Sequence, residues 1–150
     1  MSDADRVLEL GRQRFYCSQI VMRMALDLQG RDDPALIRAM DGLAGGLGFT
    51  GEVCGTLTAG AAALGLYAGR GREADDEDPT MVFMVEDLVH WFADGYGAAY
   101  GGIRCREIVG ADASNQATRC PAMIAGTFQK LKELLVENGF DLAGDPDRDD

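Results

Sequence analysis

Apolar positions along this chain recur at helical spacing. Leu10, Cys17, Val21, Met24 and Leu28 form one stripe within residues 4 to 28, with Arg12, Arg23 and Asp27 off it. Gly30-Arg31-Asp32-Asp33 closes this helix. Asp33 reads as the N-cap of a second helix, with Pro34 at its first position, running to about Ala44. Gly45 to Gly51 reads as a glycine-rich loop, and Thr50 or Gly51 caps a third helix from about Glu52 to Tyr67. Gly55, Ala59 and Ala62 fall at i, i+4 and i+7 of that helix, a face that admits close approach by a neighbour. Residues 69 to 79, GRGREADDEDP, read as a solvated loop. A fourth helix over 80–96 turns Met81, Val85, Leu88, Val89 and Phe92 inward. A short helix starts near Cys105, and Pro121 opens a last helix that runs to about Asn138 and ends at Gly139. No segment alternates with the β period. The pattern predicts an all-α fold: a single-domain bundle of about five helices over 1–140, with the glycine-rich loop before the third. Residues 141–150 form an acidic tail expected to be disordered.

Composition narrows the function. The chain has 150 residues, the size of one domain, and 47% of them are hydrophobic, enough for a real core. The net charge of −11 excludes a phosphate-binding footprint, so nucleic acid is not an expected partner. An anionic membrane surface is repelled for the same reason, and no apolar run reaches spanning length, so membrane insertion is not expected either. The first residues lack a basic start followed by an apolar stretch, so a cytoplasmic location is expected. Thiols are usually kept reduced there. Four cysteines in such a chain point to redox chemistry or a metal, against the plainer use of cysteine as a small core residue.

Residues 46 to 51 have the spacing Gly46-x-Gly48-x-x-Gly51 of a dinucleotide-binding fingerprint. That motif works only between a strand and a helix, and the preceding ALIRAMDGLAG is helical. The glycines are better read as a sharp approach to a helix N-terminus. Cys54 then falls in the first turn of the third helix, where free amide N–H groups favour a thiolate. Cys120 reads as the N-cap before Pro121, and Cys105 lies between Arg104 and Arg106 at a helix start. All three seats predict a lowered pKa. Cys17, on the apolar stripe, reads as a core residue. No Cys-x-x-Cys occurs, so any pairing or shared metal must come from the fold. Glu86 and His90 share a helix face, but a packed histidine is the commoner outcome. Trp91, Phe92, Tyr96 and Tyr100 suit a flat cofactor or, more often, a core. The acidic run at 73–78 lacks the pattern of a calcium loop.

The order Phe15-Tyr16-Cys17-Ser18-Gln19, Gly45-Gly46, Cys54-Gly55, Leu64-Gly65, Gly102-Ile103-Arg104-Cys105-Arg106-Glu107 and Arg119-Cys120-Pro121 resembles the C-GCAxxG-C-C family of redox-active four-cysteine proteins. The resemblance runs from about Phe15 to Leu135. It implies redox activity carried by Cys17, Cys54, Cys105 and Cys120. Thr56 stands where the family motif has Ala, and Ala59 where it has Gly. The leading expectation is a thiol-based redox protein that works with an unidentified redox partner protein. Cys54 attacks as a low-pKa thiolate, and Cys105 or Cys120 resolves the disulfide. The first alternative makes the same four sulfurs ligands of an iron–sulfur cluster or other thiolate-bound metal. The second is a helical accessory or interaction protein with structural cysteines. The small-residue face of the third helix suits a homo-oligomer contact in any of these readings.

Overall fold

The computed structural model describes residues 1–148. Seven α-helices of five residues or more make up the fold, and among the described residues there is no strand. They are α1 (Asp3–Arg12), α2 (Cys17–Gln29), α3 (Pro34–Met40), α4 (Gly55–Ala68), α5 (Met81–Phe92), α6 (Cys105–Val109) and α7 (Asn115–Glu137). The central element is α4, which packs on α2, α5 and α7. It carries no charged residue and is apolar on almost every side, as a helix enclosed by neighbours must be. The long α7 closes the bundle against α1, α2 and α5. Ala25, Leu26, Ala63, Leu64, Met84, Leu88, Phe92, Leu131 and Leu135 form the solvent-free centre. Each large side chain there contributes roughly 1.5–3 kcal/mol by leaving water.

Local signals explain several helix ends. Asp33 caps α3, its carboxylate accepting from the Leu36 N–H at 3.1 Å. Gly30 ends α2 in the left-handed conformation at φ 66°. Ser2 and Asp5 form a capping box on α1.

Several boundaries differ from the expected ones. The single helix expected over 4–28 is two, α1 and α2. Arg14 takes a left-handed φ of 72°, so the chain breaks after Arg12 and restarts at Cys17. Pro121 does not open the last helix. That helix starts at Asn115, and Pro121 lies inside it. The fourth helix continues past Phe92 through a π-turn at Ala93–Gly97 and a further turn to Tyr100. The close-packing face of α4 is Gly55, Ala59, Gly60 and Ala63, while Ala62 is exposed. A Cβ at Gly60 would stand 3.0 Å from the Leu88 side chain and 3.2 Å from that of Thr127, so α5 and α7 both approach α4 closely there.

The acidic tail is not free over its described part. Tyr67 donates its hydroxyl to the Leu142 carbonyl at 2.7 Å, and buried Gln29 donates to the Gly144 carbonyl at 2.8 Å. Arg31 faces Asp145 at 3.6 Å. Two buried polar side chains thus find their partners in this segment, and that holds it down. Residues 149 and 150 of the expected tail lie outside the described residues.

The glycine-rich segment is more ordered than a loop. Five consecutive residues, Gly45, Gly46, Leu47, Gly48 and Phe49, all have φ between 62° and 72°. This is a left-handed turn, which costs about 1–2 kcal/mol at each residue with a Cβ. It is closed by the amides of Phe49, Gly51 and Glu52 donating to the carbonyls of Ala44, Gly45 and Gly46. A Cβ at Gly45 would collide with the Phe49 ring, and one at Gly46 with the Glu52 backbone.

Candidate functional site

The left-handed turn delivers residues 51–54 alongside residues 103–106. Val53 and Arg104 form an isolated antiparallel bridge. The Cys54 N–H donates to the Ile103 carbonyl at 2.9 Å, and the Cys105 N–H donates to the Glu52 carbonyl at 2.8 Å. Arg106 reinforces the pairing. Its Nε donates to the Gly51 carbonyl at 3.0 Å, and its guanidinium pairs with the Glu52 carboxylate at 2.5 Å. Two of the four cysteines are therefore set by one backbone clamp. No helical period in the sequence signals it.

The helix expected from about Glu52, with Cys54 inside its first turn, starts at Gly55, so Cys54 is the N-cap of α4, and it is buried. Cys105 is the first residue of α6 and half-buried. Cys17 is the first residue of α2, not a mid-helix residue on a core stripe, because the chain breaks just before it. The α2 start is fixed against α3: Ser18 donates its hydroxyl to the Met40 carbonyl at 2.7 Å, and Gln19 donates to the Ile37 carbonyl at 3.2 Å. Cys120 is the sixth residue of α7, not its cap. Arg119 beside it donates to the Ile108 carbonyl at 2.7 Å, which ties α7 to α6. A Cβ at Gly55 would lie 3.0 Å from the Cys17 sulfur and 2.7 Å from the Leu43 carbonyl oxygen. Only glycine leaves that sulfur its room.

All four cysteines line one cavity of about 580 Å³, a volume within the usual range for a small-molecule site. Its floor is buried and apolar, with Val7, Ile20, Ile108 and Ile124. Its rim is exposed: Leu8, Arg12, Tyr16 and Phe49. The Tyr16 and Phe49 rings meet edge to face with centroids 5.0 Å apart. Nothing in the helical pattern marks Arg12 beyond its place off the apolar stripe. Phe49 carries a positive φ, and Arg14 stands two residues before Tyr16, so strained backbone flanks the mouth on both sides.

The chain's residues 15–134 match the family model described as "Putative redox-active protein (C_GCAxxG_C_C)". The chain belongs to this family. No curated protein and no solved structure matches it. Thr56, which departs from the C_GCAxxG_C_C motif, is buried and lines the cavity beside Cys54, while Ala59 is fully enclosed.

The electrostatics reverse the expected pKa shifts. Burial pushes the Cys54 thiol up, and nearby Cys17 adds to this. The Thr56 and Leu57 amides favour the thiolate, but burial outweighs them. Cys105 is also raised, first by burial and then by Cys17. Its flanking Arg104 and Arg106 engage Glu52 instead of the sulfur. Cys120 is pushed up to about 12, by burial first and then by Cys54, Cys17 and Cys105, with Arg119 opposing. Cys17 thus acts on each of the other three sulfurs. All four thiols are free.

Among the described residues no three His, Cys, Asp or Glu groups stand close enough together to hold a metal ion. Glu86 and His90 are both exposed on α5 and take no part in the cavity. Trp91, Phe92 and Tyr96 pack edge to face with one another away from it, so they serve the core. Among the described residues no helix is long and apolar enough to cross a membrane.

Proposed function

We propose that the four cysteines form a dithiol–disulfide centre inside the cavity, with Cys17 as the exchanging thiol. The observation that carries this is convergence. Four sulfurs from four separate elements line one cavity of small-molecule size. Structural cysteines have no reason to meet around an opening. Cys17 takes the attacking role because it begins a thirteen-residue helix and is the one cysteine whose charge acts on all three of the others. Burial pushes the Cys54, Cys105 and Cys120 thiols up, and one of these three supplies the resolving thiol.

The exchange balances simply. The Cys17 thiolate attacks one sulfur of a substrate disulfide, and the other leaves as a thiolate and takes up a proton. A second cysteine gives up its proton, attacks the Cys17 sulfur and releases the remaining substrate half as a thiol. Two protein thiols become one disulfide, and two electrons pass to the substrate. A redox partner protein restores the thiols by the reverse exchange.

The test is oxidation of the reduced protein with a small disulfide, followed by peptide mapping. An intramolecular disulfide that contains Cys17, and is lost in Cys17→Ser, is expected. Four thiols that stay free, or that react independently at equal rates, overturn the reading.

A further inference from the structure

The cavity's charge differs in kind from that of the surface. The chain carries −11, yet no carboxylate lines the cavity. Its one fully charged lining residue is Arg12, at the exposed rim. Among the described residues no ion pair or side-chain hydrogen bond engages that guanidinium. Most other arginines near the site are committed: Arg104 and Arg106 to Glu52, and Arg119 to the Ile108 carbonyl and the Tyr100 ring. Beside Arg12 stand three exposed apolar side chains, Leu8, Tyr16 and Phe49. Large exposed apolar groups gathered at an opening mark a place where something apolar docks. Phe15 continues this lining inward.

We infer that the molecule meeting the four thiols is a small organic anion with an apolar ring system. Its rings would pack against the cavity side of Phe15, Tyr16 and Phe49, and its anionic group would stay at the rim on Arg12. A cation is disfavoured because it would leave water for a lining with no carboxylate and would face Arg12. A fully polar anion is disfavoured because the floor offers it almost no hydrogen-bond partner. A guanidinium at the rim suits a carboxylate, sulfonate or phosphate equally, so the shared chemistry is the anion. This inference rests on the dithiol reading for its chemistry, but binding itself needs no sulfur reaction.

The test uses 1-anilinonaphthalene-8-sulfonate as the probe, titrated by fluorescence against the reduced full-length chain. One saturable site is expected, with alkylation of Cys17 by iodoacetamide slowed when the probe is bound. Arg12→Glu, at an exposed position, is expected to weaken binding on the order of tenfold, and Arg12→Lys to keep most of it. A naphthalene bearing a trimethylammonium group is expected to bind poorly to the native chain and better to Arg12→Glu. Unsaturable binding, binding indifferent to Arg12→Glu, or no protection of Cys17 overturns the inference. The two readings fail separately. A chain that binds the sulfonate but forms no internal disulfide overturns only the dithiol centre. A chain that forms the disulfide but ignores the sulfonate overturns only the ligand class.

Discussion

Gly46 and Gly48 make a matched pair for testing why the glycine-rich segment is built as it is. Both have left-handed φ, 72° and 62°. An alanine at either site pays about 1–2 kcal/mol of backbone strain, offset by about 0.4–1 kcal/mol from a stiffer unfolded chain. Space separates them. Nothing lies within 4 Å of a Cβ at Gly48, whereas a Cβ at Gly46 would run into the Glu52 nitrogen, carbonyl carbon and oxygen. That obstacle is backbone and is pinned by its bond to Cys105, so it has no rotamer to escape into. Overpacking of this kind adds at least about 1–3 kcal/mol. Gly48→Ala is therefore expected to destabilise by about 1 kcal/mol, and Gly46→Ala by about 2–4 kcal/mol. Urea unfolding of the reduced proteins at unchanged m-value gives both numbers. Gly46→Ala should also speed alkylation of Cys54 and Cys105, because it loosens the 52–105 pairing. Equal destabilisation by the two alanines would refute the claim that the turn is shaped by contact with Glu52.

Three further outcomes follow from groups already placed. Cys120 has its folded pKa raised to about 12 from an ordinary value near 9. The unfolded thiol therefore ionises first, and this group's stabilising effect is full below about pH 9 and lost as pH rises toward 12. In reductant, Cys120→Ser should flatten the fall in urea midpoint over that window; Tyr67, also raised to about 12, leaves a residual slope. Thr127 is fully buried with its hydroxyl unpartnered, so Thr127→Val, which keeps the shape, should be neutral or stabilise by up to about 1 kcal/mol in the same assay. Truncation after Asp141 strips the Leu142 carbonyl from Tyr67 and the Gly144 carbonyl from Gln29, and should lower stability by about 2–4 kcal/mol. An unchanged thermal midpoint would show that the tail is not held by these groups.

The helical content was legible because apolar spacing and caps such as Asp33 and Gly30 act locally. The four cysteines were legible as a set from their order and their flanking residues. Their settings were not. The break before Cys17 depends on a left-handed Arg14, which carries no sequence signature of the kind glycine does. Proline is best accommodated in the first turn of a helix, whereas α7 carries Pro121 as its seventh residue at the loss of one ladder bond, so Pro121 misplaced both the α7 boundary and the seat of Cys120. The raised thiol pKa values come from burial around the cavity, and helix position alone pointed the other way. The clamp between residues 51–54 and 103–106 joins stretches some fifty positions apart. Neither stretch alternates in a way that announces a strand.

Pro121 has a mechanical consequence for the cavity wall. Having no N–H, it leaves the Ala117 carbonyl without its partner one turn back, so the longest helix has a gap in its bonding ladder. Ala117, Cys120 and Pro121 all face the cavity at that level. The rest of α7, from Met123 onward, is seated in the core through Ile124, Phe128, Leu131 and Leu135. The gap in the ladder therefore falls beside Cys120, between the start of α7 that lines the cavity and the longer part seated in the core. The wall of the cavity beside Cys120 is thus held by side-chain hydrogen bonds, Asn115 and Arg119 reaching the Val109 and Ile108 carbonyls, where the core holds the rest.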